Sequence, residues 1–255
     1  MRTLKMDDNR STSKPSLRRL GWDSEMLGLC CGIIDCSILP AEASKIDPFA
    51  KIEKLLAQGS EYDLIALKLP SLWPDTVNRL VRDGARLIET ELVFAYSGGP
   101  VRGDASSVRF SSRVEAAAFT PLAAMMQHSR LFIDPAIPHE RALRLWIKSI
   151  KNYCEGRADD LAVAFHDGRP AGLTTLNFLE TGAVNLHIVG VLKKHQGQGV
   201  GRAMMSAVAQ KYGRDHAITV ETLSANTPAQ HLYQKSGFQL VAVQHVLHAW
   251  NPGRP

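Results

Sequence analysis

Gln196-Gly197-Gln198-Gly199-Val200-Gly201 separates an apolar stretch, Asn185-Leu186-His187-Ile188-Val189-Gly190-Val191, from a run in which Ala203, Met204, Met205, Ala207, Val208 and Ala209 recur at helical spacing. A strand followed by a glycine-rich turn and a helix is where a phosphate-binding corner is built. Three glycines at alternate positions let the backbone turn tightly and bring its N–H groups close to an anion, and the helix that starts there adds its positive end. A pyrophosphate fits that arrangement. The dinucleotide pattern G-x-G-x-x-G with a later acidic residue is absent, and so is the P-loop pattern G-x-x-x-x-G-K-[ST].

A second motif follows. After a predicted strand at His216–Leu223 comes Asn226-Thr227-Pro228-Ala229-Gln230-His231-Leu232-Tyr233-Gln234-Lys235-Ser236-Gly237-Phe238. Asn226 suits a helix cap and Pro228 a helix start. Ala229, Leu232 and Tyr233 share one face, and Gly237 suits a left-handed helix end. On these grounds alone Tyr233 is a packing residue.

Together the two stretches resemble the GNAT superfamily of N-acetyltransferases. Gln196 to Gly201 matches its acetyl-CoA signature [Q/R]-x-x-G-x-[G/A], and Asn226 to Phe238 matches its closing N-x-x-A-x-x-x-Y-x-x-x-G-F. The resemblance implies an α/β fold with a mixed, mostly antiparallel central sheet flanked by helices. It implies direct attack of an amine on the acetyl-CoA thioester, with Tyr233 protonating the departing thiolate. A backbone N–H near Val189, Gly190 or Val191 would stabilise the oxyanion where the strand splays from its neighbour. Gln196, Gly197, Gln198, Gly199, Val200, Gly201, Arg202 and Asn226 complete the cofactor-binding set, and no metal is expected. Gly190 inside an apolar strand suits a bulge or a close backbone approach.

The remaining sequence adds an acceptor side. Leu20-Gly21-Trp22-Asp23-Ser24-Glu25-Met26-Leu27-Gly28 and Ser129-Arg130-Leu131-Phe132 resemble segments of the TDP-fucosamine acetyltransferase group, which acetylates nucleotide-linked amino sugars. Leu131 replaces the aromatic of that group's second segment. Arg130 reads either as a fork for a diphosphate or carboxylate or as a helix-end cation, and Phe132 either as a surface for a ring or as core. Glu89 and Glu91 project from one face of a predicted strand at Arg86–Tyr96. By the resemblance, Glu89 is the better candidate for a general base. Acceptors of other classes, namely peptides, polyamines and drug amines, use the same machinery, and a sensor that only binds CoA is the non-enzymatic alternative.

At 255 residues and 45% hydrophobic content the chain can bury a sizeable core. A net charge of +5 suits anionic ligands, but the basic residues are dispersed and nucleic acid is not implied. Cys30, Cys31, Cys36 and Cys154 lack zinc-site spacing and read as reduced core thiols, so a cytoplasmic location is expected. No apolar run is long enough to span a membrane. Small and turn residues at 97–107 suggest a linker between a small α/β domain, 20–96, and the acetyltransferase domain, 108–255, with 1–19 a tail. Helix-glycine-strand units at Leu80–Thr90 and Leu232–Val241 suggest that the first domain is a truncated copy of the second. The apolar strand Leu240–Trp250 suggests a homodimer.

Overall fold

The computed structural model describes residues 15–36, 48–99, 101 and 103–253. In chain order the elements are β1 (Leu17–Arg19), α1 (Gly21–Leu27), β2 (Cys31–Asp35), α2 (Phe49–Gln58), β3 (Leu64–Pro70), α3 (Pro74–Arg82), β4 (Arg86–Tyr96) and β5 (Val108–Ser111). Then follow α4 (Arg130–Ile133), α5 (His139–Asn152), β6 (Asp160–His166), β7 (Arg169–Phe178), β8 (Val184–Val191), α6 (Val200–Tyr212), β9 (Ile218–Leu223), α7 (Thr227–Lys235) and β10 (Phe238–Trp250). The fold is mixed α/β, as expected, with strands and helices interspersed along the chain. The expected tail lies mostly outside the described residues, although β1 occupies its end.

Two compact units interleave along the chain: 1–92 with 130–142 and 242–255, and 93–129 with 143–241. A single boundary at 97–107 therefore differs from the packing, because long-range pairing returns late segments to the first unit. There β10 runs antiparallel to β3, from Gln244 opposite Pro70 to Trp250 opposite Leu64.

In the first unit β2 and β3 are parallel, joined through α2, and β1 lies antiparallel on β2. β3 is buried almost throughout, as a strand covered on both faces should be. Ile34, Phe49, Ile52, Leu67, Trp73 and Leu80 lead its core. Spacing in the sequence predicts helices around Pro48–Ala57 and at Pro74–Arg82; the first is shifted by one residue, and α3 and β4 have their expected bounds.

The second unit is an antiparallel meander, β5-β6-β7-β8, followed by β9 parallel to β8. Asp167 and Gly168 both have positive φ, 50° and 72°, which suits the tight hairpin turn between β6 and β7. Spacing in the sequence predicts a helix around Ala116–Met126, but the chain forms two 3₁₀ segments there, Ala116–Ala118 and Thr120–Met125. Pro121 supplies no N–H to bond the Ala117 carbonyl, which breaks the run. The expected linker is strapped to α6. Ser206 Oγ donates to the carbonyls of Val101 and Gly103, each at 3.1 Å, and a Cβ on Gly103 would lie 2.6 Å from the Arg202 carbonyl oxygen.

The irregularity in β8 falls at His187, two residues before the segment expected to carry it. Thr175 pairs with Ile188 and Leu176 with Leu186, so His187 is the extra residue. Gly190 keeps regular register with Leu173 and serves close packing, since a Cβ there would lie 2.8 Å from Leu122 Cδ1. Gly190→Val is expected to overpack this contact at a cost of about 1–3 kcal/mol. Melting should record that cost as a lowered Tm, at roughly 2–4 °C per kcal/mol; an unchanged Tm would mean that Leu122 yields freely.

Candidate functional site

The glycine-rich turn is assembled by its own side chains. Lys193–His195 form a 3₁₀ turn, Gln196 Nε2 donates to the Val191 carbonyl at 3.3 Å, and Gln198 Nε2 donates to the Lys194 carbonyl at 3.2 Å. Gly197 and Gly199 are left-handed, with φ of 75° and 83°, and a Cβ on either would meet nothing within 4 Å. Backbone therefore lies bare beside open space. Gly199 caps α6, and no side chain satisfies the first N–H groups of that helix, so they and the helix dipole present a positive end. This is the chemistry that a pyrophosphate requires.

Gly201 has another purpose. A Cβ at this position would lie 3.1 Å from Leu232 Cδ2, so its absence lets α6 and α7 approach. That contact sets the turn beside the helix bearing Tyr233. Asn226 Oδ1 accepts from the Ala229 N–H at 3.4 Å and caps α7, while Gln230 Nε2 donates to the carbonyls of Leu223 and Ser224, anchoring the helix to the end of β9. Gly237 ends the unit with φ of 80°.

Tyr233 is 3% exposed, its ring 5.8 Å from that of Phe94 and 6.0 Å from that of Phe238. Burial pushes its phenol above the ordinary tyrosine range, so it stays protonated at neutral pH and has a proton to give.

Among the described residues β8 pairs with β9 only over Val184–Leu186, yet β8 runs on to Val191. The strands part there, and Val189, Gly190 and Val191 lie in the parted segment. His187 packs against Trp146 and Tyr153, with ring centroids 6.5 Å and 5.3 Å away.

The glycine-rich turn and the first turn of α6 line a cavity of about 510 Å³, with Gln198, Gly199 and Arg202 facing Asp104, Phe165 and His166, among others. Sequence reasoning missed this cavity because the strap, the β6–β7 hairpin and α6 meet only in three dimensions.

The candidates on the acceptor side lie in the first unit. Glu89 is half-buried, and its Oε2 is buried without a hydrogen-bond partner. Burial and then the neighbouring Glu91 push its carboxyl up to about 8, against the pull of Arg130 and Lys68. Glu91 is committed: Lys68 Nζ and Gln244 Nε2 both donate to its Oε2 at 2.7 Å. Arg130 donates to Asp23 Oδ2 and, at 3.2 Å, to His248 Nε2, so both terminal nitrogens of the expected fork engage protein groups. Phe132 is half-buried, 4.8 Å from the ring of His139.

A carboxyl held protonated by its site makes the fold lose stability as pH rises from its unfolded value, near 4.5, through about 8. Glu89→Gln removes that loss. Its Tm relative to the wild type is therefore expected to climb across this window in melts at stepped pH, and a pH-independent difference would contradict the raised carboxyl.

All four cysteines are free. Burial raises the Cys31 and Cys36 thiols to about 12 and that of Cys154 to about 11, so none of these three supplies a thiolate nucleophile at neutral pH. Among the described residues no helix is long and apolar enough to cross a membrane.

Residues 124–238 match the model of the acetyltransferase (GNAT) family. Among the solved structures that share the fold are three from different sources. A protein of unknown function from Staphylococcus epidermidis is 13% identical with a TM-score of 0.57, covering 97% of this chain and 96% of its own. A GCN5-related N-acetyltransferase from Kribbella flavida is 17% identical with a TM-score of 0.52, covering 96% and 90%. A tandem GNAT protein from the clavulanic acid biosynthesis pathway is 14% identical with a TM-score of 0.52, covering 86% and 75%. With the bare left-handed turn, the parted strand and the buried tyrosine in place, residues 124–238 resemble an acetyltransferase (GNAT) domain, and the fold is shared with N-acetyltransferases of known structure.

Proposed function

We propose that the protein transfers the acetyl group of acetyl-CoA to the amine of a nucleotide-activated amino sugar. The observation that carries the transfer chemistry is the turn Gln196–Gly201, whose two left-handed glycines bare the backbone at the start of α6. In this reading those N–H groups hold the CoA diphosphate, with Arg202 beside them. The deprotonated amine attacks the thioester carbonyl, and a backbone donor in Val189–Val191 takes the charge of the tetrahedral oxyanion. The C–S bond then breaks as Tyr233 gives its proton to the leaving sulfur. Glu89 accepts the proton that the sugar ammonium must lose.

The acceptor class is supported by the joining of two motifs. Asp23 of the Trp22-Asp23-Ser24 stretch binds Arg130 of the Ser129-Arg130 stretch, so the two segments that resemble the amino-sugar group form one constellation in the first unit. Phe132 and His139 offer an aromatic surface there. Because Arg130 is held on both terminal nitrogens, it contributes a fixed charge more than a free fork. In the same reading the first block is a truncated copy of the second: Gly84, with φ of 101°, and Gly237, with φ of 80°, each turn a helix end into a strand. The protein works in the cytoplasm as a homodimer.

Free-thiol release with acetyl-CoA and a panel of TDP- and UDP-amino sugars, polyamines and peptides tests the acceptor. Turnover concentrated on the amino sugars is expected. Turnover confined to peptides or polyamines would overturn the sugar assignment, and CoA binding without turnover on any acceptor would favour a sensor.

A further inference from the structure

The first unit buries a set of polar groups for which acetyl transfer requires no direct role. Asp134 and His248 are both 0% exposed. Asp134 Oδ2 accepts from His248 Nδ1 at 2.6 Å and from Trp250 Nε1 at 2.8 Å, while Oδ1 accepts from the Ala136 N–H at 3.0 Å and from Arg86 at 3.1 Å. On the other side of the imidazole, Nε2 faces Arg130 at 3.2 Å. A guanidinium only donates, so Nε2 must be the acceptor and Nδ1 must carry the hydrogen. Both nitrogens are then used, and His248 has neither a lone pair nor a proton to spend on a substrate. Burial lowers its pKa, in keeping with a neutral ring. A buried Asp–His pair therefore ends on an arginine instead of a reacting atom.

We propose that His248, oriented by Asp134, is a positioning residue that seats the Arg130 guanidinium where its charge acts on Glu89. Asp23 holds the other terminal nitrogen, so the cation is fixed from two sides. The charged groups acting on Glu89 are Glu91 from its own strand, Lys68 from β3 and Arg130 from α4. Burial and Glu91 hold the carboxyl protonated while Arg130 and Lys68 pull against them, and Lys68 is tied to Glu91, so the seating of Arg130 bears on how readily Glu89 ionises. The consequence for catalysis rests on Glu89 being the base. With Arg130 in place Glu89 sheds its proton at lower pH, and more of the enzyme is competent near neutrality.

Three variants and one wild-type measurement separate the two ideas. Carbon-13 NMR of labelled glutamate carboxyls, with the Glu89 signal assigned by its loss in Glu89→Gln, reads the Glu89 midpoint directly. In His248→Leu that midpoint is expected to rise by roughly half a unit or more, and the acid limb of kcat/KM to move with it. His248→Gln, whose amide can accept from Arg130 and donate to Asp134, should keep both near the wild-type position. Nitrogen-15 NMR of the wild type should show a neutral, Nδ1-protonated His248 from pH 6 to 9, a result that needs no variant to fold. An unmoved Glu89 midpoint in His248→Leu, or an Nε2-protonated ring, overturns the positioning role whatever Glu89 does in the reaction. A midpoint that moves while Glu89→Gln keeps wild-type kcat/KM supports the seating by His248 and removes Glu89 as the base.

Discussion

Tyr233→Phe is expected to lower turnover by roughly 10²-fold or more, the usual scale for a positioned general acid, while CoA affinity changes little. The substitution keeps the ring that packs between Phe94 and Phe238 and removes only the hydroxyl. Burial holds that hydroxyl protonated, so its proton is available across the working pH range. A second property distinguishes proton donation from packing. With a thioester whose thiol is more acidic, the thiolate leaves without help, and the deficit of the variant should shrink. Full activity on acetyl-CoA, or an equal deficit with both thioesters, would take Tyr233 out of the mechanism. Orientation and the backbone donors near Val189–Val191 would then carry the reaction.

Gly199→Val is expected to weaken CoA binding on the order of 10- to 100-fold. At φ of 83° a β-branched residue is strained by about 1–3 kcal/mol, and every 1.4 kcal/mol is tenfold in affinity. There is room for the side chain, since a Cβ would meet nothing within 4 Å, so the cost falls on the conformation that aims the N–H groups and on the space that the diphosphate fills. Most of the fold should survive, because α6 is held through Met204, Met205 and Val208, which are fully buried. Titration calorimetry decides it: an unchanged Kd would mean that the glycines form only a corner.

What could be read from the chain follows how local each cause is. The turn at Gln196–Gly201 and the capped helix after Asn226 are short-range devices in which spacing alone states the geometry, and both stand where expected. The turn pairs Asp167-Gly168 and Thr181-Gly182, each between apolar runs, make the β6–β7–β8 meander legible for the same reason. Causes that cross the chain were not. Gly190 invited a bulge or a close approach: the bulge fell at His187, and the neighbour that crowds Gly190 is the side chain of Leu122, which no local pattern names. The stretch around Val101 and Gly103 looked like a linker because small residues suit a loop, yet they suit a strap on a helix equally well.

The acceptor side shows the limit most clearly. Glu89 was visible as one of two carboxylates on a strand face. What separates it from Glu91 is the company of Lys68 and Gln244, more than 20 and 150 residues away in sequence. Arg130 read equally well as a fork or a helix-end cation, and its partners Asp23 and His248 lie over 100 residues away on either side. Nothing in the local pattern of His248 marks it as the partner of Asp134.

The most direct measurement of the central claim pairs thiol release with product analysis, first without and then with a TDP-amino sugar. Without acceptor, stoichiometric acetyl-CoA should give neither a burst of free thiol nor an acetylated protein by intact mass, because the amine attacks the thioester itself. With acceptor, each thiol released should be matched by one N-acetyl sugar by NMR. A stoichiometric burst with acetyl retained on the protein, or thiol release without amide, would contradict direct transfer at this site.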